Sequence, residues 1–130
     1  MKDQNFSKKI WREKLTSEEF SVCWEKGTEP AFSGKFNNEK AIGIYVCRCC
    51  RESLFYSDKK YDSGSGWPSF FDVLNKDAVK EKPDHTLGMI RIEASCSNCG
   101  SHLGHIFTDG PQPTGLRYCI NSLSLDLVKS

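Results

Sequence analysis

Two Cys-x-x-Cys pairs, Cys47/Cys50 and Cys96/Cys99, constrain this chain more than any other feature of its sequence. Each closes a β-prone run. Ala41-Ile42-Gly43-Ile44-Tyr45-Val46 leads directly into Cys47, and Met89-Ile90-Arg91-Ile92-Glu93-Ala94 alternates, with Ile90, Ile92 and Ala94 on one face, before reaching Cys96. Two strand ends that each present a pair of thiolates can close a tetrahedron around one ion, the arrangement of structural zinc. The total of seven Cys is odd, and no apolar stretch follows the polar start MKDQNFSKK to act as a secretory signal. We therefore expect a cytoplasmic protein whose cysteines serve metal binding or redox chemistry, not a disulfide framework. Cys49 offers Cys47 a second partner, but only Cys47 with Cys50 reproduces the two-residue spacing. With Cys47, Cys50, Cys96 and Cys99 as ligands there is no open position for water, so the expected zinc holds two strands together and takes no part in chemistry.

The remaining pattern predicts a mainly β chain with a short helical start. Thr16 as N-cap, Glu19 three residues later and Leu15 with Phe20 form a capping box and hydrophobic staple, with a further turn around Ile10 and Trp11. The stretch 27–40 reads as irregular chain, 62–68 as a turn, Ser69–Leu74 as a strand and Asn75–His85 as a solvated connection. Glycines and prolines from Gly100 to Gly115 suggest a long structured loop, followed by the clear period-2 strand Leu116–Asn121. At 130 residues the chain is expected to be one domain, residues 1–130, with 1–14 as an extension. A net charge of +1 argues against nucleic-acid binding, and no apolar run reaches the roughly 18–20 residues of a bilayer span, so no membrane partner is expected.

Outside the metal pairs, chemistry gathers on the last strand. Cys119 shares a strand face with Arg117 and Asn121, and a guanidinium one pleat away should lower the thiol pKa and favour a nucleophilic thiolate. His102 and His105 lie within four residues of each other; in a strand their rings would face opposite ways, in a tight turn they could converge. Asp109 can orient one of those rings, although Asp before Gly is also a turn former. Trp67, between Gly66 and Pro68, would make an apolar wall beside Cys119 if it projected there, core packing being the alternative.

Together, Gly27-Thr28-Glu29-Pro30, Lys60-Tyr61-Asp62-Ser63-Gly64, Gly66-Trp67-Pro68-Ser69-Phe70, His102-Leu103-Gly104-His105, Asp109-Gly110-Pro111 and Arg117-Tyr118-Cys119-Ile120-Asn121-Ser122, interleaved with the two cysteine pairs, resemble the type B methionine sulfoxide reductases from about Leu15 to Leu127. The resemblance implies two antiparallel sheets with short N-terminal helices, and reduction of the R epimer of methionine sulfoxide, free or in proteins. It further implies Cys119 as nucleophile with His102, His105, Arg117 and Asn121 around it, Trp67 lining the methyl pocket, and zinc on the four cysteines. Such a reaction leaves Cys119 as a sulfenic acid, which a second thiol converts to a disulfide that thioredoxin or another thiol reductant can reset. Many members carry the second cysteine between the glycines of the Gly-x-Gly-Trp-Pro turn; here that residue is Ser65. Cys49 is constrained inside the first knuckle, which leaves Cys23 as the expected resolving residue and direct reduction by an external thiol as its rival. A monomer is expected. A four-Cys zinc module that only docks a partner is the competing reading, and it has no use for the polar face around Cys119.

Overall fold

The computed structural model describes residues 8–85 and 90–130. Two helices open it, α1 (Lys8–Lys14) and α2 (Ser17–Trp24), and the latter begins as expected: Thr16 accepts from the Glu19 amide while the Glu19 side chain accepts from the Thr16 amide. Nine strands follow: β1 (Gly43–Cys47), β2 (Ser53–Tyr56), β3 (Lys60–Tyr61), β4 (Ser69–Phe70), β5 (Val79–Asp84), β6 (Arg91–Cys96), β7 (His102–Phe107), β8 (Arg117–Ile120) and β9 (Leu125–Lys129). They form two antiparallel sheets, β2-β1-β9 and β3-β4-β8-β7-β6-β5. The fold is mainly β, as the strand patterns and the resemblance both imply.

The sheets meet through aromatic side chains. Phe55 of β2 stacks on Phe70 of β4 at 4.2 Å between ring centroids, and Tyr45 and Tyr118 meet these rings edge-on at 5.1 and 5.7 Å. Such pairs add about 0.5–1.5 kcal/mol each beyond the area they bury. Because strand side chains alternate, the apolar Ala94, Ile106, Tyr118 and Ile120 face this core. Their neighbours Glu93, His105, Arg117 and Cys119 occupy the other face of the same sheet.

Three sequence expectations change. Asn75–His85 is not a loop: its second half is β5, paired in register with β6. The run Lys80-Glu81-Lys82-Pro83 is exposed because β5 is an edge, where lysines and a proline are tolerated and discourage further pairing. The Gly-rich stretch after Cys99 is likewise partly regular, with β7 an interior strand. Gly104 does not break that strand; it is needed for packing, since a Cβ there would collide with the Cys119 carbonyl oxygen on β8. Ser69–Leu74 shortens to the two residues of β4. Met89, the first residue of the expected strand before Cys96, lies outside the described residues.

Candidate active site and metal centre

The two cysteine knuckles have the same construction. In the first, the Arg51 amide donates to the Cys47 carbonyl; in the second, the Gly100 amide donates to the Cys96 carbonyl. Both turns end in a left-handed residue, Arg51 at φ 69° and Gly100 at φ 86°, a conformation that costs a side-chain-bearing residue roughly 1–2 kcal/mol. One knuckle extends β1 and the other β6, so they join the two sheets. The four sulfurs all lie within 4.8 Å of one another, with Cys47 to Cys99 at 3.7 Å and Cys50 to Cys96 at 3.5 Å. A tetrahedral ion with metal–sulfur bonds of about 2.3 Å requires sulfurs about 3.8 Å apart, so the donor set fits one soft or borderline metal ion. Cys47, Cys96 and Cys99 are buried, and Cys50 is half-buried.

Cys119 opens into a pocket of about 90 Å³ lined by Thr28, Trp67, Arg91, Gly104, His105, Phe107, Cys119 and Asn121. Sheet register builds it: Cys119 pairs with His105 on one side and Ser69 on the other, and His105 pairs with Glu93. A larger cavity of about 600 Å³, bordered by α2, the 28–35 segment and Ser122–Leu123, contains no Cys, His or Trp. The smaller pocket therefore holds the reactive chemistry.

The histidines settle the question their spacing left open. Residues three apart on a regular strand point to opposite faces, but the β6/β7 register slips between Ala94 and Ser95, so that Leu103 is an extra residue. This bulge turns His102 to the face of His105, and the rings meet edge-on at 5.5 Å. Carboxylates fix both rings. His102 Nδ1–H donates to Glu93 Oε2 at 2.7 Å, and His105 Nε2–H donates to Asp84 Oδ2 at 2.7 Å. Lys26 lies 3.3 Å from the other Glu93 oxygen, and Arg91 3.7 Å from Asp84. His102 is only 3% exposed, and burial holds its pKa below the ordinary histidine value despite Glu93. Burial also opposes ionisation of Glu93, but the His102 hydrogen bond and charge and Lys26 outweigh it and keep this carboxyl low. His102 lies behind the pocket; His105 lines it.

Three expectations are corrected here. The Cys119 thiol is pushed up, not down, because burial outweighs the favourable charge of Arg117 and a hydrogen bond with Ser65. Asp109 does not orient a histidine. It is exposed and grips Arg117 with both oxygens, at 2.9 and 3.2 Å, while the guanidinium lies 4.4 Å from the Phe107 ring centre. Cys23 does not lie over Cys119: it is 1% exposed, and its thiol lies 3.7 Å from the Leu123 carbonyl and 4.0 Å from Ser124 Oγ. Bonding Cys23 to Cys119 would require the helical segment to move.

In and around the pocket lie residues whose roles the sequence did not show. Glu93 was hidden because a carboxylate in an alternating strand looks like a solvated residue, and Asp84 because it fell in a stretch that reads as a solvated connection. Arg91 and Thr28 had no motif chemistry of their own. Ser65, in the turn before Trp67, is near enough to Cys119 to favour its thiolate, and its hydroxyl also bonds Ser63 Oγ at 2.8 Å. Trp67 does wall the pocket, and its indole N–H donates to the Glu29 carbonyl at 2.9 Å.

Comparison with known proteins agrees with this geometry. Residues 15–129 match the model of the SelR domain. A protein of Saccharophagus degradans named peptide methionine sulfoxide reductase MsrB is 60% identical over 119 residues, which cover 92% of this chain and 89% of the relative. Proteins of the same name from Teredinibacter turnerae and Pseudomonas aeruginosa are 56% identical over 125 residues and 59% over 118; these alignments cover 96% and 91% of this chain and 90% and 89% of those proteins.

Proposed function

This chain belongs to the SelR-domain family and is a peptide methionine sulfoxide reductase, and from that premise we propose that Cys119 reduces the R epimer through a sulfenic acid. The observation that carries the reading is the Cys119 pocket, where a thiol, an imidazole, an amide and an indole wall converge on a space of about 90 Å³. The indole and Phe107 suit the methyl and thioether carbons, and Asn121 and His105 suit the polar S–O group.

The Cys119 thiolate attacks the sulfoxide sulfur while an acid protonates the oxygen, and collapse releases methionine and leaves Cys119 as S–OH. His105 is the acid best supported, since it lines the pocket and is the cross-strand neighbour of Cys119, with Asp84 holding its far nitrogen. His102 and Glu93 support that ring from behind. Arg117, held by Asp109, favours the thiolate by charge. A second thiol then displaces hydroxide from the sulfenic acid, giving a disulfide and water, and a dithiol of the thioredoxin kind can restore Cys119 by exchange. Because Ser65 occupies the place next to Cys119 and Cys23 is buried beside Cys49, an external thiol is the better-supported partner for the sulfenic acid. The net change is methionine sulfoxide plus two thiols giving methionine, a disulfide and water.

The metal held by Cys47, Cys50, Cys96 and Cys99 is proposed to be zinc, which four thiolates suit; it supplies no chemistry to the reaction and fixes the two sheets. The deciding experiment separates the two epimers of a labelled methionine sulfoxide and follows each with a small dithiol as reductant. Consumption of the R epimer alone, lost in Cys119→Ser, is expected. Equal use of both epimers, or an active Cys119→Ser enzyme, would overturn the reading.

A further inference from the structure

Glu29 is 3% exposed, and glutamate is among the residues least often buried. It has a use for nearly every polar atom. Its amide donates to Asn121 Oδ1 at 3.1 Å, its carbonyl accepts the Trp67 indole N–H at 2.9 Å, and its Oε1 accepts the Leu123 amide at 3.0 Å. Its Oε2 has no hydrogen-bond partner among the described residues and packs against Gly34, where a Cβ would collide with both Glu29 Oε2 and Ser122 Oγ.

We propose that Glu29 is a positioning residue for the sulfoxide pocket, presetting Trp67 and Asn121 before substrate arrives. The assignment rests on the reading that this pocket takes the methionine sulfoxide side chain. Two of the three bonds end on pocket-lining groups. An indole whose N–H is tied to a fixed carbonyl cannot turn about its side-chain bonds, so the apolar wall keeps one orientation. Asn121 is fixed more tightly still. Its oxygen accepts from Glu29 and its nitrogen donates to the Leu103 carbonyl at 3.0 Å, which determines the sense of the amide and leaves one N–H and one lone pair to face a ligand. The carboxylate makes the brace rigid. By bonding Leu123, two residues past Asn121, it ties the segment carrying these backbone groups to the exit of the strand carrying Cys119, and Pro30 restrains Glu29 itself to an extended backbone. A preset pocket costs less ordering on binding, so losing the brace should weaken substrate binding more than it slows chemistry.

The test compares Glu29→Ala, Glu29→Gln and Gly34→Ala in steady-state and single-turnover reduction of an oxidised peptide, together with hydrogen exchange of the tryptophan indoles by NMR. Removing the carboxylate breaks its bond with the Leu123 amide, so Glu29→Ala should raise KM about tenfold or more and leave the single-turnover rate within about threefold. The Trp67 indole should lose exchange protection while Trp11 and Trp24 keep theirs. Glu29→Gln, whose amide oxygen can still accept from Leu123, should recover most of the KM. Gly34→Ala changes no pocket residue but pushes on the carboxylate and on Ser122, the residue after Asn121, and should raise KM in the same direction. If Glu29→Ala only lowers Tm, with KM and Trp67 exchange unchanged, the residue is merely structural and the proposal fails. Should Glu29→Ala not fold, an unmoved KM in Gly34→Ala overturns it equally. Indole exchange needs no turnover, so an inactive parent enzyme, which would sink the reductase reading, is told apart from an unbraced Trp67.

Discussion

Cys119 carries two opposed influences, burial that raises its pKa and the Arg117 charge that lowers it. Arg117→Met removes only the second. The thiol pKa must then rise, and the rising limb of the single-turnover rate against pH should move to higher pH; for every pH unit the limb moves, about tenfold less thiolate is present at neutral pH. An unmoved limb would show that Arg117 acts through packing on Phe107. His102 and Glu93 give a stability prediction of definite sign. Both have pKa values depressed in the fold, so each contributes stability that is present at neutral pH and lost on acidification. For His102 the loss begins as pH falls through about 6.5, its ordinary value, because the unfolded chain takes the proton first; Glu93 follows below its ordinary 4.5. Thermal unfolding from pH 8 to 4 should therefore show a falling Tm, and His102→Gln should flatten the upper part of that fall. At this scale the sequence named Cys119, His105 and Trp67 because their chemistry is rare. It could not name Glu93, Asp84 or Glu29, whose roles depend on which neighbour the folded chain brings to them.

The element that sets the site is β7. Its bulge at Leu103 aligns the two histidines, and Gly104 lets β8 approach so closely that a Cβ would strike the Cys119 carbonyl. Gly104→Ala should open the β7/β8 ladder at Cys119. We expect a loss of about 1–3 kcal/mol in chemical denaturation, as for other overpacked sites, together with a fall in activity larger than the stability loss explains. Parent-like turnover would mean that the strands can separate there without moving Cys119. Strand existence was legible in β1, a compact β-prone run, and in β6 and β8, where apolar residues alternate. It failed for β5 and β7, where an exposed edge and a glycine needed for close packing imitate loop composition. A bulge leaves no mark in one sequence, since it is defined by the partner strand's register.

For the whole molecule the cysteine spacing was the most informative signal, because four thiols at two strand ends have few other uses. What spacing could not give was which sheets they join. With one knuckle on β1 and the other on β6, an ion held by the four thiols would secure the three-stranded sheet to the six-stranded sheet that carries Cys119. Metal analysis should find about one ion per chain, and Cys96→Ser should release it and lower Tm sharply, since closed four-thiolate sites contribute folding free energy directly. A fully stable metal-free variant would deny the joint its role. The four ligands are also unequally sheltered: three are buried and Cys50 is not. Oxidants that create methionine sulfoxide also attack accessible thiolates, and Cys50 is where they would reach this joint first. With an ion held there, oxidation of Cys50 would remove one of its four ligands and loosen the link between the sheets.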